Sequence, residues 1–141
     1  DSAPNFEKLL RILAEHEVEF IVVGGVSAVL QGAPVAMFDL DIVHRRTAEN
    51  ITRLLTALQT LEARYRLRED GVLVPSRSDL ESEGHQLLMT NQGPLDVLGA
   101  IGTNRSYEDI LELAIELEVG ELRLRILSFK TDRNQRGNRT S

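Results

Sequence analysis

The residues with the most chemistry in them are Asp39 and Asp41, one residue apart in the run Met37-Phe38-Asp39-Leu40-Asp41-Ile42-Val43. Alternation along a strand puts the two carboxylates on one face and Phe38, Leu40 and Ile42 on the other, toward a core. Carboxylates side by side repel, and a hard divalent cation is the usual way to stabilise such a pair. Upstream, with thirteen residues between, stands Gly24-Gly25, which ends the apolar run Phe20-Ile21-Val22-Val23. A metal held beside a glycine-opened backbone suits a nucleoside triphosphate. A third acid, Asp96, lies in Pro94-Leu95-Asp96-Val97-Leu98-Gly99 with apolar residues on both sides. An acid in an otherwise buried strand needs a reason. If its strand lies beside that of Asp39 and Asp41, the three carboxylates share a face. They could then hold two Mg²⁺ ions about 3.5–4 Å apart.

The elements that must position these groups follow from periodicity. Phe6, Leu9, Leu10 and Leu13 recur at helical spacing and predict a helix over 4–17. A buried strand is expected over 19–23, then a helix over 26–31 that stops at Gly32, then a strand over 38–43. Thr47 is a good N-cap for a helix striped by Ile51, Leu54, Leu55, Leu58 and Leu61. An edge strand is read over 65–68 and a long loop over 69–84, with one helical turn near 78–82. Strands over 86–90 and 95–100 flank the turn Asn91-Gln92-Gly93-Pro94 and form a hairpin. Ser106 with Asp109 caps a short helix. Strands over 115–119 and 121–127 make a second hairpin around Gly120. No internal repeat or domain boundary is visible. The expected fold class is α/β (α+β): a mixed β-sheet, helices mainly on one face, the other face partly open.

Composition narrows the partners. The chain has 141 residues, enough for one domain with a real core, and a net charge of −6. Nucleic-acid contact would need a local basic patch, and aromatics for base stacking are scarce. The absence of cysteine excludes disulfides, thiolate metal sites and a cysteine nucleophile, and fits a cytoplasmic setting. No apolar run is long enough to span a membrane, and the first residues lack the pattern of a signal peptide.

At Val23-Gly24-Gly25, Asp39-Leu40-Asp41 and Asp96 the chain resembles the nucleotidyltransferase superfamily that includes DNA polymerase beta. The likeness runs through roughly residues 5–128 and looks closest to the minimal nucleotidyltransferase branch, which includes components of bacterial toxin–antitoxin pairs. The resemblance implies a nucleotidyltransferase-like domain over 1–129. It implies transfer of a nucleoside monophosphate from ATP or another nucleoside triphosphate to an acceptor hydroxyl on protein, RNA or a small molecule, a macromolecule being favoured. Gly24 and Gly25 would admit the triphosphate, with amides of the following helix facing its charge. Ser27 could hydrogen-bond a phosphate. Asp39 and Asp41 would bind Mg²⁺, and Asp96 would complete the metal site and act on the acceptor hydroxyl.

The chain departs from the family after Leu127-Ser128-Phe129-Lys130. Where relatives continue with an amphipathic, lysine-bearing helix, residues 130–141 are polar and basic and read as a disordered tail. That departure motivates an alternative: a degenerate nucleotidyltransferase-like domain that binds a partner protein. A domain with an unfilled helix position could also pair with a copy of itself.

Each feature has a plainer reading taken alone. Asp-x-Asp can be a solvated strand face, Gly-Gly a tight turn, and Asp96 a hairpin-end residue. His44, Arg45 and Arg46 read as a solvated strand end, with phosphate binding as the alternative. His16 reads as a helix-closing residue and His85 as an exposed one.

Overall fold

The computed structural model describes residues 5–24, 39–67 and 73–127. The expected helix over 26–31, Gly25, Ser27 and the 130–141 tail lie outside the described residues. Helix α1 (Phe6–Glu15) starts where Asn5 accepts the Lys8 N–H at 3.1 Å, and it buries Leu9, Leu10 and Leu13. Glu17, at φ 59°, reverses the chain into strand β1 (Phe20–Val23), whose four residues are all buried. Strand β2 (Leu40–His44) leads through Thr47, which caps Asn50, into helix α2 (Ala48–Thr60). Strand β3 (Arg64–Tyr65), helix α3 (Arg77–Glu81), strands β4 (His85–Thr90) and β5 (Gly93–Leu98), helix α4 (Tyr107–Leu111) and strands β6 (Ala114–Val119) and β7 (Leu122–Leu127) follow.

These strands form one mixed seven-stranded sheet in the order β3-β4-β5-β2-β1-β7-β6. The two expected hairpins are β4–β5 and β6–β7; β2 runs antiparallel to β1 and parallel to β5. One face carries the main core, in which Leu40, Ile42, Leu95 and Val97 pack with Leu9, Leu13, Ile51, Leu54 and Leu80. So α1, α2 and α3 share that face. The other face has a smaller cluster of Ile21, Val23, Val43 and Leu98 under Tyr107 and Ile110 of α4. It is covered only in part, and the carboxylates belong to it.

Two boundaries differ from expectation for physical reasons. The strand expected over 38–43 begins at Leu40, because β1 ends at Val23, the partner of Asp41, and Gly24 then turns away at φ +76°. The helical turn expected near 78–82 is the five-residue helix α3, which starts one residue earlier. The Ser76 N–H donates to Asp79 Oδ2 at 2.9 Å and the Asp79 N–H to Ser76 Oγ at 3.2 Å, a reciprocal cap that starts α3.

Candidate active site

Strand pairing brings the three acids together. Asp41 of β2 stands opposite Asp96 of β5 in the parallel register. Directly paired residues point to the same side of a sheet, and Arg66 joins Asp39, just ahead of β2, to Asp96, so the three carboxylates lie together on the α4-bearing face. They sit at different depths: the Asp39 side chain is 47% exposed and that of Asp96 only 14%. Asp41 lies between Val23 and Asp96, and its Oδ1 is buried without a hydrogen-bond partner.

The electrostatics follow from that crowding. Asp41 has its pKa pushed up to about 7, first by burial, then by the charge and hydrogen bond of Asp96, and then by Asp39. Gly24 gives Asp41 its room. A Cβ on Gly24 would fall 2.6 Å from Asp41 Oδ2, and the φ of +76° is one that side chains rarely adopt. The first glycine of the pair is therefore required by the carboxylate itself.

Arg66 is the functional residue that the sequence reading missed. Following β3, its backbone N–H donates to Leu87 O at 3.1 Å, and Leu87 is the register partner of Asp96. Its guanidinium then bridges two of the three acids, Nη1 to Asp96 Oδ1 at 2.7 Å and Nη2 to Asp39 Oδ2 at 3.1 Å. Nη1 also donates to Leu88 O at 2.9 Å. The available signal was the alternation Arg64-Tyr65-Arg66-Leu67-Arg68, which puts cations on one side of an edge strand.

The donor set suits a hard divalent cation: three carboxylates, one of them with a buried, unpartnered oxygen. As they stand, however, no three His, Cys, Asp or Glu side chains among the described residues are arranged to hold a metal ion. Two of the acids are turned to Arg66 instead.

The other polar residues singled out lie elsewhere. His44 is no solvated strand end: it is 1% exposed, its Nε2–H donates to Leu80 O at 2.7 Å, and burial lowers its pKa. The packing of α3 over the end of β2 is the cause. Arg45 pairs with Glu108 at 3.0 Å and Glu19 at 3.2 Å and lies over the Tyr107 ring. Arg46 donates to Glu81 O at 3.0 Å. His16 caps α1, and His85 is exposed with Nε2 3.1 Å from Ala100 O. A cavity of about 450 Å³ between α2 and the 73–75 segment, lined by Leu55, Leu58 and Val74 among others, includes none of the three acids.

No family model and no curated protein matches the chain. Among solved structures it is similar to a "putative nucleotidyltransferase" from Thermotoga maritima, at 17% identity, with 96% of this chain and 84% of that chain covered and a TM-score of 0.60. At that identity the likeness is one of fold: this chain shares its mixed α/β architecture with that protein.

Proposed function

We propose that the protein is a divalent-metal-dependent nucleotidyltransferase of the minimal kind. The acceptor hydroxyl oxygen would form a bond to the α-phosphorus of a nucleoside triphosphate. The bond from the α-phosphorus to the α,β-bridging oxygen would break, and pyrophosphate would leave with that electron pair. Mg²⁺, when bound, neutralises the triphosphate and lowers the pKa of the attacking hydroxyl. Asp39 and Asp41 would be its ligands, and Asp96 would complete the set. Burial and the neighbouring acids raise the pKa of Asp41 to about 7, so a cation binding there would compete with a proton. Asp96, on the neighbouring strand, would orient the acceptor hydroxyl and accept its proton. Gly24 would keep the backbone clear of both Asp41 and the phosphates. Most of the rate would come from positioning and charge neutralisation.

The observation that carries this reading is the side-by-side register of Asp41 and Asp96, with Asp39 on the same face and Gly24 against Asp41. The acceptor favoured is a macromolecular hydroxyl, on protein or RNA, in line with the minimal-branch resemblance; so is a setting beside a toxin–antitoxin partner. The test is incubation with Mg²⁺, α-labelled nucleoside triphosphates and a cell lysate. Label should move to protein or RNA with the wild type and not with Asp39→Asn. Equal labelling by both removes the proposed chemistry.

A further inference from the structure

We infer that Arg66 is an internal stand-in for the divalent cation: it holds Asp39 and Asp96 in the metal-free chain and gives them up when metal binds. The inference rests on the nucleotidyltransferase reading and adds a positioning residue to it.

Three observations lead here. First, the partners of Arg66 are two of the three acids of the site, reached at 2.7 and 3.1 Å by the two arms of one fork. A planar guanidinium is shaped to bridge two carboxylates, which a lysine ammonium does less well. Second, the pairing leaves the site incomplete. Asp41, beside Asp96 on the neighbouring strand, has a buried oxygen with no hydrogen-bond partner, and no three acids among the described residues are arranged for a cation while Arg66 holds two of them. A residue serving stability alone has no reason to meet Asp39 and Asp96 and leave that buried oxygen of Asp41 unmet. Third, Arg66 stands where movement costs least. It follows a two-residue strand at the edge of the sheet, whereas the acids are on or beside the interior strands β2 and β5.

The Coulomb comparison favours exchange. Attraction scales with charge over distance, so a doubly charged ion at about 2.1 Å outpulls a singly charged donor near 2.9 Å by about threefold per carboxylate. The reluctance of Mg²⁺ to shed water offsets much of that gain, which leaves the two states close enough to interconvert. Arg66 then keeps the acids from flying apart without metal and sets a threshold for metal entry.

Mg²⁺ and Mn²⁺ binding to wild type, Arg66→Gln and Arg66→Lys, followed by titration calorimetry, tests this. Arg66→Gln should bind roughly tenfold tighter than wild type, equivalent to about 1.4 kcal/mol. Arg66→Lys, which keeps the charge but not the fork, should fall between. In chelator Arg66→Gln should melt below wild type, and saturating Mg²⁺ should close that gap. In the wild type the Arg66 side-chain Nε–H resonance should move on Mg²⁺ addition. That spectrum decides the matter if the Gln variant does not fold. Equal affinity in all three proteins, or an unmoved Arg66 resonance at saturating Mg²⁺, overturns the exchange and leaves the nucleotidyltransferase reading standing. Absence of binding in every protein overturns both.

Discussion

Asp41, proposed as a metal ligand, carries a folding cost in the same side chain. Its pKa is raised from an ordinary 3.8 to about 7, with burial the leading cause and its two acidic neighbours next. The folded chain therefore binds a proton that the unfolded chain has lost across that interval. Stability contributed here is full below about pH 4 and declines as pH rises toward 7. Asp41→Asn removes the penalty. In chelator the variant should melt a few degrees above wild type at pH 8, and the advantage should shrink to nothing near pH 4. Melting curves across pH check it; a constant difference at all pH values would contradict it. This residue pair was legible from sequence, because alternation fixes which side of a strand Asp39 and Asp41 share. Arg66 was not. Its partners are remote in sequence, and nothing in the local pattern says which face an edge arginine will meet.

At the scale of elements, the strands that carry the acids are held in place from below and at their ends. Asn50, fully buried near the start of α2, accepts the Glu19 N–H at 2.7 Å and donates to Glu19 O at 3.0 Å and Arg45 O at 2.8 Å. It thereby ties α2 to the start of β1 and the end of β2 with one amide. Asn50→Ala leaves the Glu19 N–H and Arg45 O without their amide partner, while Glu19 O keeps the Arg45 N–H at 3.1 Å, and should cost about 3 kcal/mol. A shift in urea midpoint with an unchanged slope would show it; a loss under about 0.5 kcal/mol would mean that water replaces the amide. Helices α1 and α2 were readable because their apolar stripes run for several turns. The two hairpins were readable from the turn residues at 91–94 and from Gly120. The single turn expected near 78–82 is helix α3, although five residues carry too little periodicity to fix its start, which the Ser76–Asp79 cap sets. His44 was misjudged: its burial depends on α3 docking from elsewhere in the chain, which no local pattern reveals.

For the whole molecule, the net charge of −6 and three acids at the site make a bare triphosphate an unwelcome ligand. On the proposed function, cation and nucleotide arrive as partners. Mg²⁺ with ATP, or whichever nucleoside triphosphate is preferred, should raise the melting temperature by roughly 10 °C at a hundredfold excess over Kd. ATP in chelator should do nothing. Stabilisation by ATP in chelator would place the nucleotide somewhere other than the acidic face. The fold class was legible from element order. The strand order was only partly so, since the placement of β7 beside β1 depends on a long-range parallel pairing that sequence spacing does not encode. The most direct measurement is anomalous diffraction from crystals grown with Mn²⁺ and a non-hydrolysable nucleoside triphosphate analogue. A Mn²⁺ peak about 2.1 Å from the carboxylate oxygens of Asp39 and Asp41, with the phosphates beside Gly24, is the predicted result. A nucleotide bound with no metal peak at those carboxylates would contradict it.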